Sequence, residues 1–343
     1  MKVDFAELHE TLRRIQVTIA TDAVVEVYTH ICFRAGKVTS FDGAVGTITP
    51  SGLEQLGDFC VPGRKFCSIV AAVCKQKGEI TFADDWLFIK ADNFKTKLPI
   101  YPVEEFPDIT PAGDRILLSE AGGIHEALKI ATTFVEKDGD KEKITGIGFE
   151  GDLVYATDGK RVVRAQLDEA AILPFTITKK AAEQIIRLGE PDLLVKCRGN
   201  LVASYGTGTE MVARFPAEEF PFTFAYRVFE QSSLKDVIDL PEEFRSAVDR
   251  VRSFSEDDEG VLILTSDTLH LKIATATSEV GEASDVIPLT SPAFQVKLKG
   301  DKLGTLLAKL KPTSADITDL TQGDKRMVVF YGESYACAFA AMV

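Results

Sequence analysis

The sequence has little of what catalytic centres, metal sites and disulfide frameworks are built from. Its 343 residues include one tryptophan, four histidines and six cysteines. No cysteine belongs to a CxxC pair, and the histidines lack metal-ligand spacing, so neither a disulfide framework nor a metal site is expected. A P-loop, a GxSxG elbow, an HExxH helix and a glycine-rich dinucleotide fingerprint are all absent from the sequence. We therefore expect no enzyme activity, no catalytic residue and no cofactor.

Long apolar runs and an excess of positive charge are missing too. No run approaches the roughly 20 apolar residues that span a bilayer, and the first residues turn polar at once, unlike a signal peptide. These features predict a soluble cytoplasmic protein without a membrane partner. The formal net charge of −13 counts against a nucleic-acid partner unless the charge is segregated on the surface.

The chain repeats itself about every 115 residues. Residues 100–107 (IYPVEEFP) resemble residues 214–221 (RFPAEEFP) at an offset of 114, and Phe41-Asp42-Gly43 is echoed by Thr157-Asp158-Gly159 at an offset of 116. A third copy has weaker identity but keeps the same order of helices and strands. The period predicts three tandem, similar domains at residues 1–112, 113–224 and 225–343.

Each copy predicts two amphipathic helices among alternating strands. The first helices are expected near residues 4–16, 119–137 and 241–253, and the second near 64–77, 178–188 and 301–311. Each second helix stops at a breaker, namely Gly78, Gly189 or Pro312. Because every helix needs a sheet to cover its apolar side, the predicted fold class is α+β, with two helices packed on antiparallel sheets in each domain.

Charge is divided unevenly between these helices and the remainder. The six predicted helices carry a formal charge of +6, which leaves −19 on all other residues. If the helices share one surface, a basic face on an acidic body would attract a polyanion. The plainer interpretation is that the cations simply solvate exposed helix faces. The candidate DNA-facing residues are Arg64, Lys75, Lys180, Arg187, Lys302 and Lys309.

Three segments resemble one known family. They are Ala156 to Val162, the stretch from Phe220 to Val228 that joins the second and third copies, and Gly260 to Ile273 followed by an acidic loop. Together they resemble the bacterial-type β sliding clamp (the DNA polymerase III beta subunit), including versions carried by phages. The resemblance covers nearly the whole chain.

The resemblance implies a DNA clamp fold in which three domains form a crescent and two crescents close a ring, with helices lining the hole. Such a homodimer would encircle double-stranded DNA without sequence specificity during DNA replication. It would act as a processivity factor for the replicative DNA polymerase, and a clamp loader and repair proteins would be further partners.

The resemblance also implies a pocket for short partner peptides. Carried over residue by residue, the pocket comprises Ile144, Thr157, Gly159, Lys160, Arg161, Val162, Pro221, Arg227, Val228, Phe339, Ala341 and Met342. The chain departs from the family at Lys160-Arg161-Val162, where His-Arg-Leu is common, and its tail lacks the family's Met-Pro-Met-Arg character. The structural alternative is a tight turn at Asp158-Gly159, a surface charge at Arg161 and a core residue at Phe339.

Two other functions stay open on the sequence. A clamp-like scaffold or decoy would bind partner peptides but form no ring on DNA. An enzyme is the weakest alternative, since acidic runs such as Asp84-Asp85 are typical of turns and solvated loops.

Overall fold

The computed structural model describes residues 1–22, 24–120, 122–135, 146–230, 234–254, 260–276, 281–324 and 326–342. The helices of these residues are α1 (Phe5–Ile15), α2 (Gly63–Val73), α3 (Ile124–Thr132), α4 (Lys179–Leu188), α5 (Phe222–Glu230), α6 (Phe244–Arg252), α7 (Gly300–Lys309) and α8 (Thr318–Thr321).

The strands of the first half of the chain are β1 (Lys2–Asp4), β2 (His30–Arg34), β3 (Lys37–Phe41), β4 (Val45–Pro50), β5 (Phe59–Pro62), β6 (Lys77–Ala83), β7 (Trp86–Ala91), β8 (Phe94–Pro99), β9 (Arg115–Ser119), β10 (Ile147–Glu150), β11 (Leu153–Thr157) and β12 (Arg161–Gln166). Those of the second half are β13 (Phe175–Ile177), β14 (Leu193–Cys197), β15 (Asn200–Ser204), β16 (Glu210–Arg214), β17 (Val237–Asp239), β18 (Val261–Ser266), β19 (His270–Thr275), β20 (Ser284–Pro288), β21 (Phe294–Lys299), β22 (Ser314–Asp316), β23 (Met327–Tyr331) and β24 (Tyr335–Ala340).

The order of these elements repeats three times. One strand, a helix, four strands, a second helix and three strands run from β1 to β8 and again from β9 to β16. The same order runs from β17 to β24, with the short helix α8 added between β22 and β23. The helix pairs of the three copies are α1 and α2, α3 and α4, and α6 and α7. All six helices predicted from the sequence are present, and the α+β fold class is confirmed. No helix of the described ranges is long and apolar enough to cross a membrane.

The chain divides into two compact units. Unit 1 holds residues 1–125 and 171–217. It contains a four-stranded antiparallel sheet in the order β1-β6-β7-β8 and an eight-stranded one in the order β5-β2-β3-β4-β16-β15-β14-β9. Helices α1 and α2 cover these sheets because their apolar residues recur every three or four positions, and Phe5, Ile15 and Phe66 are fully buried.

Unit 2 holds residues 126–170 and 218–343. Its strands follow one another as β10-β11-β12-β24-β23-β22-β17, and a second sheet has the order β20-β19-β18-β21. Helix α6 places Phe244, Val248 and Val251 in the core of this unit, and α7 adds Leu303 and Leu306.

Two elements differ from the sequence prediction. The predicted helix at 119–137 begins only at Ile124, because residues 115–119 form strand β9 against β14. The segment after Pro221 forms helix α5. The predicted boundary between the second and third domains, at 224/225, falls inside this helix, and the division into three domains stays a prediction.

Candidate functional site

Two junctions in the chain join the sheet of one sequence copy to that of the next. In unit 1, β4 pairs antiparallel with β16, so that Val45 lies opposite Ala213. In unit 2, β12 pairs antiparallel with β24, so that Arg161 lies opposite Phe339. Both junctions lie next to a hairpin that contains the Asp-Gly turn of the repeat. The predicted functional residues concentrate around these two places.

A concave region of about 740 Å³ in unit 1 is lined by arginines from three helices. Its cations are Arg13 and Arg14 in the last turn of α1, Arg64 of α2 and Arg187 of α4, whereas Glu10 is its acidic residue. Arg64 is held there because its Nη2 donates to the carbonyl of Ile19 at 3.1 Å. The first and second sequence copies therefore contribute to one basic hollow.

The six predicted DNA-facing cations fall into three groups. Arg64 and Arg187 line the hollow. Lys75 and Lys309 are exposed, and within the described ranges neither has an ion pair. Lys180 and Lys302 instead approach carboxylates, with Nζ 2.8 Å from Asp42 and 3.4 Å from Asp158 respectively.

The turn at Asp158 is the centre of a buried ion cluster. The Nε and Nη2 atoms of Arg161 donate to Asp158 Oδ2 at 3.0 and 2.8 Å, and Nη1 donates to the carbonyl of Lys302 at 3.1 Å. Both side chains of the Arg161–Asp158 pair are at most 4% exposed. The guanidinium also lies over the ring of Phe134, 4.6 Å from its centroid.

This environment lowers the pKa of Asp158. Burial alone would raise the pKa, but the Arg161 guanidinium and the backbone N–H groups of Lys160 and Arg161 stabilise the carboxylate more strongly. The cluster is therefore charged in the folded protein.

The opposite side of the same strands carries an aromatic surface under helix α5. Successive residues of a strand point to opposite faces, so Arg161 and Val162 cannot line one wall together. Val162 is buried against α5, in a cluster with Tyr155, Ala225 and Phe229. Gly148 permits this packing, because a Cβ there would lie 2.7 Å from Phe220.

Several aromatic rings of this surface touch one another. The ring centroid of Tyr155 lies 6.1 Å from that of Phe220, 5.9 Å from that of Phe222 and 5.9 Å from that of Tyr226. Arg164 covers Phe229 with its guanidinium 4.5 Å from the ring centroid. Phe224 is about half exposed, so apolar surface remains available to a partner.

The predicted peptide-pocket residues separate into three places. Val162 and Val228 belong to the surface under α5, and Pro221 begins that helix by accepting from the N–H groups of Phe224 and Ala225. Arg227 is exposed on α5. Arg161 and Phe339 are buried at the ion cluster, whereas Thr157 is buried opposite Val162. Ile144 lies outside the described residues.

The exposed turn and the chain terminus form the third place. Gly159 and Lys160 are exposed, and the carbonyl of Lys160 accepts from the N–H of Ala340 at 3.0 Å. Beyond it, Ala341 and Met342 donate backbone hydrogen bonds to the carbonyls of Arg326 and Lys297. Met342 is 38% exposed.

Sequence reasoning missed two contributors to these surfaces. Arg13 and Arg14 were omitted from the predicted DNA-facing residues because those residues were taken only from the second helix of each copy. The two cations in the last turn of α1 are nevertheless visible in the sequence. Helix α5 was missed because the stretch from Phe220 to Val228 was treated only as the segment that joins the second and third copies. Its spacing of Phe222, Ala225 and Phe229, at positions i, i+3 and i+7, is the helical signal that could have revealed it.

The chain resembles proteins of known function in sequence and in structure. No family model matches it. It is 23% identical over 215 residues to the beta sliding clamp of Helicobacter pylori strain J99, a match that spans 57% of this chain and 58% of that relative. The beta sliding clamp of H. pylori strain 26695 is equally similar.

Solved structures resemble the whole chain. A DnaN sliding clamp from Bartonella birtlesii bound to griselimycin superposes with a TM-score of 0.86 at 18% identity, covering 100% of this chain and 99% of that one. The DNA polymerase III beta subunit of Thermotoga maritima gives 0.83 at 17% identity with 100% and 98% coverage. The H. pylori beta clamp bound to a DNA ligase peptide gives 0.79 at 18% identity with 100% and 99% coverage. The predicted resemblance is thus confirmed, and the chain has the fold of the bacterial β sliding clamps along its whole length.

Proposed function

We propose that this protein is a DNA sliding clamp, a processivity factor that encircles duplex DNA and tethers a replicative DNA polymerase. The observation that carries the proposal is the basic hollow of unit 1, in which helices of two sequence copies direct four arginines to one place on a chain of net charge −13. Arginines so placed would contact phosphates without reading bases, which is what sliding requires. Such a tether has no catalytic residues of its own.

The aromatic surface under α5 supports partner-peptide binding. The partly buried rings of Phe222 and Tyr226 offer anchors of the kind that dominate peptide interfaces. The H. pylori clamp of the same fold binds a DNA ligase peptide. We extend this mode to the present chain, with polymerase, clamp loader and repair proteins as the partners.

Ring closure would use a second copy of the chain. In the element repeat, β8 corresponds to β16 and β24, and β20 corresponds to β4 and β12, the strands that form the two junctions in the chain. Among the described residues β8 has only β7 as a neighbour, and β20 only β19. A head-to-tail homodimer of three-domain chains would pair these two edges.

Retention on circular DNA tests the topological tether. After the protein is loaded on a nicked plasmid and free protein is removed, a clamp remains on the circle and escapes when one restriction cut linearises it. Equal retention on circular and linear DNA would contradict encirclement. Peptide binding without retention would favour the scaffold or decoy.

A charge-reversal pair tests the hollow. We expect R14E/R187E to weaken binding to short duplex DNA and to reduce the slope of log affinity against log salt by about 2, because two phosphate contacts are lost. The matched variant K37E/K196E reverses two exposed lysines of the same unit that lie outside the hollow, and it should leave the slope unchanged. Equal effects of the two variants would remove the hollow from the DNA interface.

A further inference from the structure

The hairpin next to each junction is closed by one recurrent set of hydrogen bonds. At the first, the N–H of Asp42 donates to the carbonyl of Val45 at 3.1 Å, and Asp42 Oδ1 accepts from the N–H of Val45 at 2.9 Å. At the second, Asp158 and Arg161 make the same two bonds, at 3.3 and 2.8 Å. The Oδ2 atom of each aspartate faces a lysine, and Asp158 Oδ2 also accepts from the Arg161 guanidinium.

That lysine occupies the same position in each second helix. Lys180 immediately precedes the buried pair Ala181 and Ala182 of α4. Lys302 immediately precedes the buried Leu303 and Gly304 of α7. Each lysine comes from the copy that follows the aspartate's copy, and the Nζ–Oδ2 distances are 2.8 and 3.4 Å. Each junction is thus closed by one Lys–Asp contact.

Two positions of this pattern remain without a partner in the described part of the chain: the lysine of the first copy and the aspartate position of the third copy. Lys65 immediately precedes the buried Phe66 and Cys67 of α2. It is exposed, and it has no ion pair within the described part of the chain. The copy that would supply its aspartate is the third, and in the proposed ring this copy belongs to a second molecule.

The hairpin of the third copy joins β19 to β20, and Thr275 occupies the aspartate position. The N–H of Thr275 donates to the carbonyl of Ala283 at 2.9 Å, and its Oγ1 accepts from the N–H of Ala283 at 3.1 Å. These are the two bonds that close the other hairpins. Thr275 therefore keeps the backbone geometry but supplies no carboxylate, and seven residues separate it from Ala283 where two separate Asp42 from Val45.

We propose that Lys65 faces Thr275 of a second copy, so that the junction between two chains has the geometry of the two junctions within the chain but lacks their Lys–Asp contact. This inference rests on the proposed ring. A neutral hydroxyl at this position leaves the contact between chains as the weakest of the three kinds of junction.

A single substitution restores the missing carboxylate. We expect T275D to tighten the dimer up to about thirtyfold in low salt, because a ring of two chains gains one partly exposed ion pair at each of its two junctions, and to lose the gain in 0.5 M NaCl. The measurement is the dimer dissociation constant from sedimentation equilibrium. T275N is the matched control, because it can keep the acceptor of the turn without adding charge and should leave the constant unchanged.

A double-mutant cycle identifies the lysine. K65A alone should change the constant less than about twofold, and T275D should bring no gain in the K65A background. In the K75A background, which removes a lysine at the other end of α2, the gain should persist. A gain that survives K65A, or no gain at all, would overturn the inference.

The outcomes separate this inference from the ring proposal. A wild-type dimer whose constant T275D does not improve contradicts the inference alone. If K65A alone weakened the dimer more than about fivefold, a different carboxylate would already pair with Lys65. That result would also contradict the inference that the contact between chains is neutral at this position. A chain that stays monomeric with and without T275D contradicts both proposals.

Discussion

The two junctions in the chain share one backbone plan but are filled differently. At β4–β16 the contacts are neutral hydrogen bonds, from Gln184 Nε2 to Thr47 Oγ1 at 3.0 Å and between Thr49 and Thr209 at 2.9 Å, with a half-exposed Lys180 at the rim. At β12–β24 the corresponding volume holds Arg161 and Phe339, with Asp158 and Lys302 beside them. The same strand pairing thus holds neutral polar contacts in unit 1. In unit 2 it holds a buried ion cluster, with an aromatic surface on the opposite face of the strands.

The difference between the junctions indicates which of them can bind a partner peptide. The ion cluster holds the face of β12 opposite α5 rigid, so Val162 and the aromatic rings on the other face have a firm support. The first junction differs there, because Gly46 stands where Val162 stands in the second, and Phe41 and Phe106 pack in a separate buried cluster. Peptide binding is accordingly expected at the second junction.

The largest effect should come from removing the buried guanidinium. R161M leaves Asp158 without its main partner in a site that is nearly closed to water, so we expect the free energy of unfolding to fall by about 3 to 5 kcal/mol. Urea unfolding followed by circular dichroism measures it. V45M, at the matched position of the first junction, changes packing without stranding a charge. A loss as small for R161M as for V45M would make the two junctions energetically alike.

Acid should affect the second junction through Asp158. Because its pKa in the folded protein lies below the unfolded value of about 3.9, the carboxylate stabilises the fold fully above that value and ceases to do so as the pH falls through the folded pKa. Thermal melts between pH 5 and 2 should show a flatter decline for D158N than for the wild-type chain. D42N, at the first junction, serves as the control, and an equal flattening in both variants would refute the assignment.

Peptide affinity should fall when the second junction loses its apolar anchors. We expect V228A/M342A to weaken binding of the H. pylori DNA ligase peptide about tenfold, because both side chains are partly exposed members of the predicted pocket. Fluorescence anisotropy measures the affinity, and V237A, an exposed valine on β17, is the control for apolar loss elsewhere. Unchanged affinity of the double variant would place the peptide elsewhere.

The smallest effect belongs to the first junction. Lys180 is 53% exposed, so K180A should cost less than about 1 kcal/mol in the free energy of unfolding, measured by the same urea transition. A loss comparable to that of R161M would show that its contact with Asp42 is as strongly coupled as the buried cluster.

Much of the fold was predictable because it depends on local patterns. The six helices follow from apolar spacing and end signals, and the offsets of 114 and 116 residues indicate the repeated order of elements. Helix α5 was missed because its segment was treated only as the connection between the second and third copies, whereas the apolar face of β12 and β24 stabilises the helix from outside.

The candidate site was less predictable. A motif match carried Arg161 and Val162 to the pocket together, although strand alternation sends them to opposite faces. The peptide-pocket and DNA-facing residues as a set, like the three-domain boundaries, stay predictions that the experiments above can test.

By itself the sequence determined the repeat, the class of the fold and the separation of cationic helices from an acidic remainder, since these depend on the order and periodicity of residues. Only the tertiary structure decided what each cation faces. Lys180 and Lys302 meet carboxylates while Arg64 and Arg187 share an open hollow, because residues more than a hundred positions apart become neighbours only when strands of successive copies pair. Charge acts through distance and solvent exposure, and neither is written in the order of residues.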